Sequence, residues 1–311
     1  MRAPCAHSAL FYGEPDEFVA GIEPFLSEGL AAGDHVIVGV TPDKQRWLRE
    51  ALGADAQAVE WVDAGALYGR NGVMFTAVHE LLRRHATPGR GRLRLVAEQD
   101  FAARDVEDAR AYMRYEAIAN VVYRDFDAAV LCPYDGARLP DRILDAARKT
   151  HPEVATRGRA HASIAFTDPR AYVRRHSRVV EPPARAHRLA LERSEDLASA
   201  RAMVRTHARS AGLDRAGAED TALAVTEVAT NALRHGEPPC TLAVYVADDR
   251  LVCQVRDAGA GPDPLAGYLP PVGGASGYGL WLAHQLCDTV EVTSEEDGTT
   301  VSLRTRLAAR A

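Results

Sequence analysis

TEVATNALRHG, residues 226–236, decides how the second half of this chain is read. Its apolar residues Val225, Val228, Ala229, Ala232 and Leu233 recur at helical spacing and form one core-facing stripe. Glu227 and Asn231 stand four residues apart, just over one helical turn, so both polar groups leave the helix from one face. A core-packed helix that aims a carboxylate and an amide side by side is presenting them to something.

The segments around this helix set its context. HRLALE (187–192) reads as a strand, and SEDLASARAMVRTHARSAG after it as a helix with Ser194 as its cap. TLAVYVADDRLVCQVRD alternates apolar and polar residues on either side of Asp248-Asp249, the pattern of a hairpin. GLWLAHQLCD is helical, and VEVTSEEDGTTVSLRTRL closes as a second hairpin turning near Asp297-Gly298. Helices interleaved with hairpins predict an α+β layered domain, with helices on one face of a mixed or antiparallel sheet.

Three further pieces carry chemistry. In RDAGAG (256–261) a strand ends on Asp257, whose carboxylate can accept a hydrogen bond from an exocyclic amine, and Gly259 and Gly261 let backbone approach a planar ring. In SGYGLWLA (276–283) Gly277 and Gly279 precede a helix, whose free N–H groups attract phosphate. In DGTTVSL, Thr299 and Thr300 open the last strand.

The first half alternates strands and helices. ALFYG, HVIVGVTP, VEWVDA, RLRLVAEQ and DAAVLCPYDG read as strands, separated by amphipathic helical stretches. HVIVGV is continuously apolar and β-branched, as strands buried on both faces are. The expected fold is a doubly wound, mainly parallel α/β sheet. Ligands in such sheets bind at the carboxyl ends of strands, where Tyr12, Thr41, Asp63, Glu98, Gln99, Asp100, Tyr134 and Asp135 stand. No G-x-x-x-x-G-K-[ST] loop is present, so nucleotide hydrolysis is not expected there. RRHSRVVEPPARAH is rich in Arg and Pro and reads as a linker, giving domains at 1–172 and 187–311 joined by residues 173–186.

Bulk properties narrow the function. The 311 residues are 47% hydrophobic and 26% charged, an ordinary globular composition. No apolar run reaches the roughly 20 residues of a membrane helix, and the N-terminus lacks a signal-peptide core, which together predict a cytoplasmic protein that does not engage membranes. A net charge of −6 offers no basic footprint for nucleic acid. Cys5, Cys132, Cys240, Cys253 and Cys287 are scattered and predict reduced thiols; Cys5 and His7 alone do not make a metal site.

With these motifs in hand, residues 187–311 resemble the ATP-binding domain of the gyrase, chaperone, histidine-kinase and MutL superfamily, the Bergerat-type fold: EVATN with HG, DAGAG, GYGL and GTT occur in the expected order. The short segment between DAGAG and GYGL, and the SEDLASAR helix, resemble the anti-sigma-factor serine kinases. The resemblance implies that Asn231 ligates Mg²⁺ between the ATP phosphates and that Glu227 is the general base. It implies that Asp257 holds the adenine amine, Gly259 and Gly261 shape the adenine pocket, Gly277 and Gly279 let a lid close, and Thr300 supports the adenine from below. Arg234 and His235, beside the site, read first as structural residues. It further implies phosphorylation of a serine or threonine on an anti-anti-sigma antagonist, sequestration of a sigma factor, and a homodimer. Two alternatives stay open: an ATP-binding module that holds its partner with little transfer, and an atypical histidine kinase. The latter would need a dimerisation helix bearing a phosphoacceptor His, and here His176 and His187 sit in an Arg/Pro stretch. Residues 5–170, through HSALFYGEPDEFVAGIEPFLSEGLAAGDHVIVGVTP, LCPYDG and THPEV, resemble the MEDS sensory domain, which implies a small-molecule signal at the N-terminal domain.

Overall fold

The computed structural model describes residues 5–63, 70–86, 92–99, 101, 104–271 and 277–307. The chain divides into two compact units, residues 1–69 with 74–173, and residues 70–73 with 174–311.

The N-terminal unit runs β1 (Ala6–Tyr12), α1 (Pro15–Ala32), β2 (His35–Val40), α2 (Pro42–Leu52), a 3₁₀ turn (Gly53–Ala58), β3 (Glu60–Asp63), α3 (Asn71–His85), β4 (Leu93–Ala97), α4 (Val106–Val122), β5 (Ala128–Asp135), α5 (Asp141–Thr150), β6 (Glu153–Thr156), β7 (Arg159–Ala162) and α6 (Pro169–His176). Its sheet has the order β3-β2-β4-β5-β1-β6-β7 and is parallel except for the β6–β7 hairpin. The mainly parallel α/β expectation holds. Phe18, Ile22 and Leu26 recur every four residues on α1 and bury that face against Val36, Val38 and Val40 of β2 and Leu48 of α2. Pro15 starts α1 with a pre-set φ, and Gly33 ends it at φ 76°, its N–H donating to Gly29 O and Leu30 O. α4 is buried along most of its length and carries Arg114 and Glu116 into the interior; Asp105 caps it by accepting from Asp108 N–H at 2.9 Å.

The C-terminal unit comprises β8 (His187–Leu191), α7 (Asp196–Ala211), α8 (Arg215–His235), β9 (Cys240–Ala247), β10 (Arg250–Asp257), α9 (Tyr278–Leu286), β11 (Thr289–Glu295) and β12 (Gly298–Arg306). The sheet order is β11-β12-β10-β9-β8, and every pair is antiparallel. The core joins Ala200, Val204 and Ala208 of α7, Ala218, Ala222, Val225 and Ala229 of α8, and Ala283 of α9 to the inward residues Leu242, Val244, Leu251, Cys253, Val255 and Leu303. Asp248 and Asp249 make the β9–β10 turn at φ 48° and 56°, the conformation that this hairpin needs.

Two local expectations are corrected. The stretch taken as a linker from residue 173 starts inside α6, with Tyr172 and Val173 buried. It ends packed on the outer sheet face, where Ala186 meets Ala243, Tyr245 and Val252, and Gln254 Nε2 donates to Val180 O at 2.9 Å. Ser194 does not cap α7; Asp196 Oδ2 instead accepts the N–H groups of Glu192 and Arg193 at 2.8 and 2.9 Å. The five cysteines are free thiols, as expected.

Candidate functional site

A cavity of about 430 Å³ opens in the C-terminal unit between α8, the start of α9, and strands β10 and β12. Val228, Val255, Leu280 and Val301 form apolar walls, and Asn231, His235, Asp257 and Thr299 supply the polar atoms. The sequence dictates this division. On α8 the Val225, Val228, Ala229, Ala232 stripe is buried in the core, which leaves Glu227 and Asn231 half-buried on the flank of the helix.

Asp257 ends β10 and is only 8% exposed. Its Oδ1 accepts the Gly259 N–H at 2.8 Å, and Thr299 Oγ1 donates to Gly259 O at 2.9 Å. Gly259 is therefore held behind the carboxylate and shapes the floor without lining the cavity. Gly298 turns into β12 at φ 133°, where a Cβ would lie 2.1 Å from Asp257 O, so no other residue fits that corner. Gly261 lines the cavity, and Gly277 caps α9 at its rim.

Glu227 and Asn231 meet at Gly279. A Cβ on Gly279 would stand 3.0 Å from Asn231 Nδ2 and 3.2 Å from Glu227 Oε2, so the glycine lets α9 close onto that pair. Asn231 lines the cavity, whereas Glu227 sits one turn back along α8, beside it. Thr300 is a misplacement by one residue. β10–β12 register pairs Asp257 with Thr299 and Arg256 with Thr300, so Thr299 faces the cavity and Thr300 the opposite side of the sheet. The parity of Val301 and Leu303, both apolar and inward, was the signal that identifies Thr299. His235 lines the cavity, a place its reading as a structural residue missed, while the neighbouring Arg234 is exposed. Ser276 lies outside the described residues.

The donor set suits one class of ligand. An apolar slot with a single carboxylate at its floor matches a planar heterocycle bearing an exocyclic amine. The Asn231 amide oxygen at its edge is a hard ligand for a divalent cation, and α9 begins beside it with unfilled N–H groups. Adenine, phosphates and Mg²⁺ fit these residues.

A second cavity, of about 440 Å³, lies at the carboxyl ends of β2, β4 and β5. Thr41, Glu98, Gln99 and Asp135 line it together with Lys44 and Arg138. Glu98 is buried, accepts from Tyr12 Oη at 3.0 Å and pairs with Lys44. Asp63 is exposed at the end of β3 and Tyr134 is buried against Phe11 and His151; neither lines this cavity. Asp100 lies outside the described residues. Among the described residues no helix is long and apolar enough to cross a membrane.

Residues 6–152 match the family model for MEDS, the methanogen/methylotroph, DcmR sensory domain, and residues 191–305 match that of the histidine kinase-like ATPase domain. No curated protein matches the chain. Among solved structures, the RsbU and RsbW domains of Rv1364c from Mycobacterium tuberculosis align at 23% identity over 42% of this chain and 34% of that one, with a TM-score of 0.32. The histidine kinase domain of the Erythrobacter litoralis EL346 blue-light activated histidine kinase aligns at 16% identity over 54% and 81%, with a TM-score of 0.28. The Acinetobacter baumannii histidine kinase AdeS aligns at 12% identity over 40% and 70%, with a TM-score of 0.25. The chain spans about a third of the length of the first of these. It carries a MEDS sensory domain followed by a histidine kinase-like ATPase domain.

Proposed function

We propose that this chain is a cytoplasmic sensory regulator of transcription whose ATPase domain binds Mg-ATP and phosphorylates a serine or threonine of an anti-anti-sigma antagonist. That transfer would govern sequestration of a sigma factor. The observation that carries the reading is the closure of α9 on Glu227 and Asn231 at Gly279, one turn from a cleft floored by Asp257. The SEDLASAR helix and the short segment between DAGAG and GYGL favour a protein serine kinase over a histidine kinase.

Bound Mg-ATP supplies the phosphoryl group. Asp257 accepts a hydrogen bond from the adenine amine, with its free rotation removed by Gly259 N–H. Thr299 stiffens the same floor through Gly259 O. Asn231 would hold Mg²⁺ through its amide oxygen, and Gly277 would let the α9 N–H groups reach phosphate. Glu227 takes the proton from the partner's hydroxyl on Oε2, so that an alkoxide-like oxygen is available for attack. Little else is asked of side chains, because phosphoryl transfer rests chiefly on positioning and charge neutralisation. In the sensory domain, the Tyr12–Glu98–Lys44 cluster and the cavity beside it would receive a small polar signal. We further propose that the protein acts as a homodimer.

Labelled ATP and antagonists of the anti-anti-sigma class test the reading. Glu227→Gln should bind Mg-ATP like the wild type and lose transfer by about 10²–10⁴-fold, the range of a general base. Undiminished transfer in that variant would remove Glu227 from the chemistry. A wild-type chain that binds Mg-ATP and an antagonist yet transfers nothing would make the protein a holding module.

A further inference from the structure

Four buried side chains from four elements converge inside the N-terminal unit: His7 of β1, Glu116 of α4, Cys132 of β5 and His151 just past α5. Their ligand atoms all lie within 4.8 Å of one another. His7 Nε2 stands 3.1 Å from Glu116 Oε2, His151 Nε2 3.5 Å from the same oxygen, and Cys132 Sγ 3.5 Å from His7 Nε2. Tetrahedral coordination with bonds of about 2.0–2.3 Å puts neighbouring ligand atoms roughly 3.3–3.6 Å apart. Three of its six edges, at 3.1, 3.5 and 3.5 Å, lie near that range, and the others stay within 4.8 Å. Cys5, adjacent in sequence, takes no part; its Sγ faces Ala6 O.

The hydrogens around the cluster are already committed elsewhere. Asn120 Nδ2 donates to the carbonyls of Glu116, Ala117 and Thr150, so its Oδ1 faces His7 and accepts from Nδ1 at 3.0 Å. His151 Nδ1 donates to Ala147 O at 2.9 Å. With Nδ1 turned to these acceptors, both rings point Nε2 into the cluster, the orientation and anchoring that metal-bound histidines show. Tyr112 Oη donates to Glu116 Oε1, which leaves Oε2 for the interior. His151 Nε2 has no hydrogen-bond partner among the described residues. A hydrogen bond between His7 Nε2 and Glu116 Oε2 satisfies one of these contacts and leaves His151 Nε2 facing the same carboxylate oxygen. One cation bridges them all.

We propose that His7, Glu116, Cys132 and His151 form a tetrahedral site for one divalent transition-metal ion of the Zn²⁺ class. Two imidazoles, a carboxylate and a thiolate are borderline-soft donors that favour Zn²⁺ over Mg²⁺ or Ca²⁺. The Cys132 S–H bond breaks on binding, its proton leaves to solvent, and the thiolate and carboxylate together neutralise the dication, so the buried site carries no net charge. His7, Glu116 and Cys132 also line a small cavity walled by Phe75, Tyr112 and Tyr115, which places the ion beside the sensory domain's interior space.

The full chain, stripped with chelator, is titrated with Zn²⁺ against a chromophoric competitor and separately loaded with Co²⁺. One ion per chain is expected, and the Co²⁺ form should show tetrahedral d–d bands with a thiolate-to-cobalt charge-transfer band. Cys132→Ser should abolish that band, and Asn120→Ala, which removes the anchor of His7 together with the side-chain bonds to three backbone carbonyls, should weaken Zn²⁺ by about 10–100-fold. A folded wild-type chain that takes up no Zn²⁺, or whose Co²⁺ spectrum lacks the thiolate band, overturns the site. So does a Cys132→Ser spectrum identical to that of the wild type. Should the variants fail to fold, the wild-type Co²⁺ spectrum decides alone.

Discussion

Asp257 and Thr299 face each other across β10 and β12, and one hydroxyl ties them together through Gly259. Losing that buried bond strands the Gly259 carbonyl, at a cost of about 1–3 kcal/mol. Thr299→Val should therefore weaken ATP binding by about 5–160-fold, while Thr300→Val, on the other face, should leave it within about twofold; calorimetric titration of the two variants checks this. Equal effects would mean that the register does not set the site. The placement of Glu227, Asn231 and Asp257 was legible in the sequence because a four-residue spacing on a helix and a carboxylate at a strand end each fix a direction. Thr300 was not, because a one-residue slip on a strand reverses the face and Gly-Thr-Thr offers two hydroxyls in succession.

At the scale of elements, α8 positions the site and depends on its first turn. Asp214 Oδ1 accepts the Gly217 N–H at 2.7 Å, and Asp214→Ala should cost about 1 kcal/mol, read as a lower midpoint in chemical denaturation. Asp214→Ser should restore most of it. The α7 entry behaves similarly but with a pH signature. Two backbone N–H groups, those of Glu192 and Arg193, hold Asp196 below its usual value of 3.8. A depressed carboxylate stabilises the fold above its unfolded pKa and loses that contribution as pH falls through the folded one. The melting-temperature difference between wild type and Asp196→Asn should thus be present at pH 7 and shrink below about pH 3.8. The β6–β7 hairpin escaped the sequence reading because β7 is exposed along its whole length and shows no apolar alternation. Only its turn, Arg157-Gly158 at φ 47° and 75°, marks it. Buried strands such as β2 and β5 were readable for the opposite reason, since covering both faces leaves an unbroken apolar run.

For the whole molecule, two units with separate cores carry separate chemistry. Ligands that bind only the folded state stabilise it by mass action, about 2.7 kcal/mol at a hundredfold excess over Kd. Mg-ATP and Zn²⁺ should therefore raise the melting temperature independently, with a strong chelator of transition metals reversing only the second. The two-domain division was visible in the change from strand–helix alternation to hairpins. The buried His7–Glu116–Cys132–His151 cluster was not, because its members lie far apart in sequence and only the parallel sheet brings them together. The nucleotide site is tested by ATP binding to the full chain with and without Mg²⁺, compared with Asn231→Ala and Asp257→Ala. Mg²⁺-dependent binding is expected in the wild type, lost in Asp257→Ala and without its Mg²⁺ dependence in Asn231→Ala. Binding unchanged in both variants, or no binding by the folded wild type, would contradict it.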